Sequence, residues 1–428
     1  MDTWLFCVHT WAYLIGNHNE IRGGSKEGMK AYRFRLYPSA DQERKLNDQI
    51  ELCRELYNSF LLERRYAYRG NKKSLTYNHQ QNEIPELKST FEEYSGIHSQ
   101  VLQDVARRAD RAYQNFYRRI REKKHGVKKK AGFPRLKGKG QYNSLTYPQS
   151  GFHLLENGHL KLSKIGELRM FQHRDIVGEI KTLNISHDGT GEWYASFSVK
   201  HDNISLHPEH TGNTIGIDAG LLHLVTMSDG TMIDPPHFLM KSGKRITKAQ
   251  RNLSRKQIGS SNRKKAKITL SKQHKKVKDQ REDFAHKLSN QIVQNNDLIV
   301  FENLNIRSMV KNHHLAKSIA DASWNTLIQY TTYKAESAGR EVVLVDPGNT
   351  SRTCSNCGYK KESLGLSERT FLCESCGLDI DRDLNAAINI HNKGMEKVGR
   401  GTPEVTPVEI GALPARASLI GEAGSPVQ

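Results

Sequence analysis

The chain has 428 residues, with 65 Lys and Arg against 46 Asp and Glu, a formal net charge of +19 and a pI near 9.5. Six cysteines in that length are too few for a secreted disulfide scaffold, and aromatic and branched aliphatic residues recur too often for a simple disordered tail. No run approaches the ~18 apolar residues of a membrane span, and so large an excess of positive charge favours a polyanion as partner.

Residues 1–28 carry no clear period and read either as a flexible N-terminal extension or as translated upstream sequence with the working start at Met29. Their most apolar stretch, Trp4 to Ile15, is broken by His9 and Thr10. It lacks a basic segment before it and a small-residue cleavage site after it, so no signal peptide is expected. The expected compartment is the reducing cytoplasm, in association with the nucleoid, where clustered cysteines point to metal first.

From residue 29 the pattern alternates. Tyr32, Phe34 and Leu36 fall on one face, Arg33 and Arg35 on the other, and Pro38 ends the strand. Ser39 with Gln42 forms a capping box, and Leu46, Ile50, Cys53, Tyr57 and Phe60 recur at helical spacing to about Gly70. Cys53 on that stripe reads as a core thiol. A second helix is predicted over Ser99 to Lys124, with Leu102, Val105, Ala109, Ala112 and Phe116 inward. Its other face carries Arg107, Arg108, Arg111, Arg118 and Arg119, and the basic run continues through Lys128, Lys129, Lys130, Arg135, Lys137 and Lys139, which predicts phosphate contact. Residues 39–124 are thus a helical lobe.

Residues 125–210 switch to strands. Asn157-Gly158 between two short apolar runs predicts a hairpin, and Asp188-Gly189 ahead of Trp193–Val199 predicts another. Short strands with turn signals predict a small barrel whose first strand is 29–38, with the helical lobe inserted. Residues 211–349 are mixed: a strand ending in Asp218, a hairpin about Ser228-Asp229-Gly230, a basic helical stretch from Lys241 to Arg281, a buried strand ending in Glu302, a helix near Ser323–Ala338 and a strand over Glu341–Val345. Residues 350–380 are a Cys-rich insertion, 381–395 open a helix at Asp381, and 396–428, rich in Pro and Gly, read as a flexible tail.

Two sets of residues carry chemistry. Cys354-x-x-Cys357 and Cys373-x-x-Cys376 stand fifteen residues apart, each followed by a glycine, Gly358 and Gly377. Four thiolates at ~2.3 Å satisfy tetrahedral Zn²⁺ and leave no open position, so one structural zinc is expected and a catalytic zinc is not. The second set is Asp218, Glu302 and a C-terminal acid. If the two strands are parallel neighbours, both carboxylates emerge at one sheet edge, and an acid at the last helix completes a cluster. Three hard oxygen ligands around two Mg²⁺ ions suit in-line phosphodiester hydrolysis. Asp379, Asp381 and Asp383 all compete for the third place on spacing alone.

The segments Gly216-Ile217-Asp218-Ala219-Gly220-Leu221, Ile299-Val300-Phe301-Glu302-Asn303-Leu304-Asn305 and Asp383-Leu384-Asn385-Ala386-Ala387-Ile388-Asn389-Ile390 resemble the three split motifs of a RuvC-type nuclease, with the Cys₄ ribbon between the second and third. With Phe34-Arg35-Leu36-Tyr37-Pro38, Gly132-Phe133-Pro134-Arg135 and Thr350-Ser351-Arg352-Thr353-Cys354, the chain from Met29 to Lys393 resembles the TnpB (OrfB) proteins of insertion sequences, relatives of type V CRISPR effectors. The resemblance implies a multidomain α+β and α/β fold. It comprises a split small β-barrel (wedge) with an inserted helical lobe, then an RNase H-like (RuvC) domain over 211–349 and 381–395 with an inserted zinc ribbon.

It also implies an RNA-guided, Mg²⁺-dependent DNA endonuclease that cuts double-stranded DNA matching a guide RNA from the transposon end, beside a transposon-adjacent motif, as a monomer on one RNA. The family pattern selects Asp383 as third ligand, with Asp218 and Glu302, and leaves Asp381 to cap or orient. Two alternatives are a protein-only RuvC-like nuclease or transposase accessory, and a nuclease-dead nucleic-acid-binding regulator.

Overall fold

A computed structural model describes residues 28–126, 130–201, 210–312, 315–365 and 368–399. The extension before residue 28, the tail beyond 399, Cys7, Lys128 and Lys129 lie outside the described residues. The chain forms two compact units: one runs to Ser186 and resumes at Tyr194, and the other holds His187–Trp193 and everything described from residue 210 on.

The first unit opens with strand β1 (Gly28–Tyr37), in which Tyr32, Phe34 and Leu36 are buried and the arginines between them are not. Helix α1 (Ala40–Asn71) starts at the Ser39–Gln42 capping box, with both reciprocal bonds made, and buries Leu46, Ile50, Cys53, Tyr57 and Phe60. Burial pushes the Cys53 thiol up to about 12, so it is a core group and not a nucleophile. Three short helices follow, α2 (Tyr77–Asn82), α3 (Ile84–Thr90) and α4 (Glu92–Ser95), then α5 (Ser99–Lys124).

Strands β2 (Ser144–Tyr147), β3 (Phe152–Leu154), β4 (Leu160–Leu162), β5 (Gly166–Phe171), β6 (Glu179–His187) and β7 (Trp193–His201) join β1 in a seven-stranded sheet of order β2-β6-β7-β1-β5-β4-β3. The two edge strands, β2 and β3, are joined by residues 148–151 alone, and the rings of Tyr147 and Phe152 approach to 6.4 Å, so the sheet curls until its edges nearly meet. β1 pairs antiparallel with β5, Leu36 opposite Met170, so the first strand of the sheet precedes the helices and the other six follow them. The Asn157-Gly158 turn joins β3 to β4, with Gly158 at φ +75°. The turn from β6 to β7 is built by the Asp188 side chain, which accepts from the Thr190 and Glu192 amides, and its positive-φ glycine is Gly191, not Gly189.

The second unit centres on a five-stranded sheet: β8 (Thr214–Asp218), β9 (Val225–Met227), β10 (Met232–Ile233), β11 (Leu298–Glu302) and β12 (Glu341–Val345), in order β10-β9-β8-β11-β12. β8, β11 and β12 are parallel, and β9 and β10 form an antiparallel meander at one side. The basic stretch divides into α6 (Phe238–Ser254) and α7 (Ser261–Asn295); Gly259 at φ +86° breaks it and Ser260 caps the second helix. Helices α8 (Ile306–Met309), α9 (Ala316–Ala322) and α10 (Trp324–Ser337) follow β11. The ribbon strands β13 (Thr370–Leu372) and β14 (Asp379–Asp381) lead into α11 (Arg382–Lys397), which continues two residues into the stretch read as tail.

β11 is buried along its whole length because both faces of the sheet are covered. Ile299 and Phe301 pack with Leu288, Ile292 and Leu327 of α7 and α10. Leu298 and Val300 pack with Ile390 and Met395 of α11. The approach of α11 depends on two glycines. A Cβ on Gly216 would lie 2.4 Å from the Ala387 carbonyl oxygen, and one on Gly394 would lie 2.3 Å from Val300 Cγ2. Among the described residues no helix is long and apolar enough to cross a membrane.

Candidate active site and metal centre

Strand parity decides where the acids face. In β8, Ile215 and Ile217 point to the α7–α10 layer, while Thr214 hydrogen-bonds His391 of α11 and Gly216 lies against that helix. Asp218, two residues on from Gly216, shares its face. In β11, Glu302 shares the face of Leu298 and Val300, again that of α11. The parallel register sets Phe301 opposite Ile217, so one step further Glu302 stands beside Asp218 at the carboxyl ends of two neighbouring strands. α11 brings its first turn to the same edge: Asp383 Oδ2 lies 4.0 Å from the Cβ position of Gly220, just past the end of β8.

The electrostatics follow from this convergence. Burial, then the charges of Glu302 and Asp383, push the Asp218 carboxyl up to about 8. Burial raises Glu302 as well, opposed by a 2.5 Å hydrogen bond donated by the Thr350 hydroxyl to its Oε1 and by the charge of Lys393. Burial and the charge of Asp381 raise Asp383, against the pull of Arg369, Arg382 and His223. Three acids held above their ordinary range by burial, Asp218 further by the charges of Glu302 and Asp383, form a site short of positive charge, which is the condition a divalent cation relieves.

The three competing C-terminal acids take different places. Asp379 is exposed on β14. Asp381 is the N-cap of α11, its Oδ1 accepting from the amides of Asp383 at 2.8 Å and Leu384 at 3.0 Å. Asp383 lies near enough to Asp218 for its charge to raise that carboxyl.

The sign of the Asp218 shift gives a testable consequence. Folded, Asp218 keeps its proton up to about pH 8; unfolded, it releases it near the ordinary carboxylate value. Between those limits the folded state binds more protons, so stability falls as pH rises through that window. Metal-free Asp218→Asn, which cannot ionise, is expected to melt higher than the parent at pH 8.5, by roughly 2 kcal/mol after discounting for partial exposure, with the gain gone near pH 4. Added Mg²⁺ should raise the melting temperature of the parent at pH 8.5 and leave the variant unmoved. Equal melting of both proteins at pH 8.5 would contradict the charge crowding.

Among the described residues the four cysteines are the His, Cys, Asp or Glu group drawn together closely enough to hold one metal ion, their sulfurs all within 4.8 Å of one another; the three acids converge on one sheet edge but are not drawn in that far. Cys354 and Cys376 sulfurs are 3.7 Å apart, and Cys357 and Cys373 sulfurs 3.6 Å. A tetrahedron of sulfurs at ~2.3 Å from its centre has edges of ~3.8 Å, so the cage has the size of a thiolate-bound ion such as Zn²⁺ and is far too open for disulfides. The two knuckles are built alike. In each, the glycine amide returns to the first cysteine carbonyl at 3.0 Å (Gly358 to Cys354, Gly377 to Cys373), with both glycines at positive φ near +75°. Amide donors from Leu378 and the Asn356 side chain lower the Cys376 thiol to about 6.

Residues that no spacing rule had singled out tie cage to acids. Asn385 and Asn389, buried on α11, donate to the Thr353 carbonyl, Asn389 also to the Thr350 carbonyl, and Asn385 Oδ1 accepts from the Ser355 amide. The segment before the first knuckle is thereby pinned to the helix of Asp383, and its Thr350 reaches Glu302.

The basic surface divides. Arg108, expected on the solvent face of α5, is turned inward: it pairs with Asp104 at 2.7 Å and donates to Ser144 and Thr146 of β2. Lys137 lies over the rings of Tyr57 and Tyr142, and burial pulls it down to about 8. In the second unit Arg281 is spent on Asp321 and Arg263 on the carbonyls of Leu253 and Lys256. Arg107, Arg111 and Arg118 remain exposed, as do Lys241, Lys244 and Lys248 on α6. Ala112 and Phe116, expected inward, are only half-buried, and Tyr113 takes the core position.

Comparisons with known proteins agree on one kinship. Residues 196–313, which include Asp218 and Glu302, match the family described as "Probable transposase" of the OrfB type. Residues 324–390, spanning the cysteines and Asp383, match "Cas12f1-like, TNB domain". Residues 29–73 match a "Helix-turn-helix domain", where this fold has one strand and one continuous helix. A "Putative RNA-guided DNA endonuclease" of Streptomyces pristinaespiralis is 35% identical over 86% of this chain and 89% of its own. The "Putative RNA-guided DNA endonuclease InsQ" of Escherichia coli K12 is 30% identical over 85% of this chain and 91% of its own. Among solved structures, the Cas12f1 chain of a complex with sgRNA and target DNA shares the fold, at TM-score 0.52 and 15% identity over 86% of this chain and 99% of that one.

Proposed function

The chain belongs to the TnpB (OrfB) family of insertion-sequence proteins, and from that premise we propose that it is an RNA-guided DNA endonuclease whose cutting site is Asp218, Glu302 and Asp383. The observation that carries the site is the convergence of the three acids: two on adjacent parallel strand ends facing one helix, the third on that helix's first turn. The partners are a guide RNA from the transposon end and double-stranded DNA beside a transposon-adjacent motif, with one chain on one RNA.

The donor set suits Mg²⁺: hard carboxylate oxygens, crowded and short of positive charge, on rigid elements. Two Mg²⁺ bound there would supply an ionised water and a stabilised leaving 3′ oxygen for in-line hydrolysis. The protein's part is placement. Adjacent strands fix Asp218 and Glu302, Thr350 holds the Glu302 carboxylate in one rotamer, and the Asp381 cap holds the turn that carries Asp383. The four-Cys cage takes one structural Zn²⁺, with all four positions filled by protein.

Phosphate contacts from Lys and Arg give affinity without sequence, so choice of target falls to base pairing with the RNA. The test is to purify the protein in moderate salt, sequence the RNA that accompanies it, and change the 3′ guide segment. Cleavage is expected to move to the DNA that matches the new guide. Cutting that ignores the guide, or full activity after RNA removal, would make this a protein-only nuclease.

A further inference from the structure

In the first unit residues 130–135 lie alongside α5 and line with it an open cavity of about 570 Å³. Tyr57 and Phe133 give it aromatic surface, and Arg118, Arg119, Lys130 and Arg135 surround them, with no carboxylate in the lining. Phe133 is 46% exposed, so part of its ring is open to a ligand. It is not loose: its edge contacts with Tyr113 and Phe116, at centroid distances of 5.6 and 5.0 Å, hold its plane. Arg119 is likewise held, donating to the carbonyls of Asn115 at 3.1 Å and Gly132 at 3.4 Å, and Arg118 meets Glu122 at 3.7 Å.

A fixed, exposed ring within a ring of cations matches a ligand with an aromatic plane at one end and a phosphate at the other. Stacked bases inside a duplex offer no free face, so the occupant must be unpaired. The volume suits one such group and its flanking phosphate, since small-ligand pockets run to ~300–1,000 Å³. We infer that this cavity takes a single unpaired nucleotide of the bound nucleic acid, its base on Phe133 and its phosphate among the four cations. The inference rests on the nucleic-acid-binding function above and adds a place where one nucleotide is gripped away from the cutting site.

The test uses the full-length protein with two probes, a 12-mer of oligo(U) and a 12-mer of oligo(dT), titrated at several salt concentrations. Phe133→Ala is expected to weaken binding of at least one probe roughly 5- to 150-fold, the range of one base–aromatic stack, with an unchanged salt slope. Phe133→Trp should retain affinity. Arg118→Gln with Arg135→Gln should lower the salt slope by roughly 0.7, the value for one single-strand phosphate contact. Photocrosslinking of 5-iodouracil probes to residues 130–135 then tells RNA from DNA as the source, and a crosslink from either supports the site. Phe133→Ala that melts like the parent and binds both probes like the parent overturns the inference. So does loss of polyglutamate binding in that variant with oligonucleotide binding intact, which would assign the cavity to an acidic protein. No cleavage enters these readouts, so their failure is distinct from failure of the guide-exchange test.

Discussion

Alanine in place of Asp218, Glu302 or Asp383 is expected to abolish DNA cleavage, by ~10³-fold or more, while guide RNA and target DNA stay bound. Ion-mediated stabilisation of developing charge is worth several kcal/mol, and each ~1.4 kcal/mol is tenfold in rate. Affinity is supplied by exposed Lys and Arg elsewhere and does not depend on three buried or half-buried acids. The assignment of the third acid is tested by asparagine. Asp381→Asn keeps a side-chain oxygen for the amides of Asp383 and Leu384, so it should cut near the parental rate. Asp383→Asn removes a charge from the cluster itself and should not cut. The reverse pattern would move the site to Asp381. Binding that collapses together with cleavage in the alanine variants would show that the acids support the fold instead.

The strands that end in Asp218 and Glu302 were legible in the sequence because a short apolar run closed by an acid reads as a buried strand, and two such runs with an acid at the start of the last helix restrict each other. The four cysteines were legible because paired knuckles with trailing glycines have one dominant use. Arg108 was not legible. It falls on a row of arginines at helical spacing, and only the tertiary pairing with Asp104 and β2 turns it inward. Thr350, Asn385 and Asn389 were equally silent: polar residues between motifs look like loop and helix surface until packing buries them. The break between α6 and α7 falls within Gln257 to Asn262, a gap in the basic pattern that holds Gly259, Ser260 and Ser261, and reading 241–281 by its overall charge passes over that turn signal. What a pattern cannot carry is a contact between segments that are far apart in the chain, and the links that hold this site together are of that kind.

The second large effect follows from those links. Cys357→Ser is expected to lower bound zinc well below one per chain and to cut cleavage by ~10²-fold, although no cysteine touches the acids. A structural zinc contributes on the order of 10 kcal/mol to the folding of its own module, so losing a ligand unfolds the ribbon. The ribbon's core is only Cys354, Phe371 and Cys373 with a few half-buried neighbours, too little to stand without the ion. Once it unfolds, the Thr350–Thr353 carbonyls leave Asn385 and Asn389, two buried amides on α11 lose their acceptors, and the Thr350 hydroxyl leaves Glu302. A hydrogen bond to a charged group is worth about 1.5–3 kcal/mol, which sets the scale of the loss at Glu302. The link can be cut without touching the metal. Thr350→Val should keep one zinc per chain and its binding of RNA and DNA, yet cleave ~10-fold more slowly, and Thr350→Ser, which restores the hydroxyl, should recover the rate. Parental cleavage by a Cys357→Ser protein shown to lack zinc would sever the ribbon from the site. Parental cleavage by Thr350→Val would leave the ribbon's influence intact but route it through Asn385 and Asn389 alone.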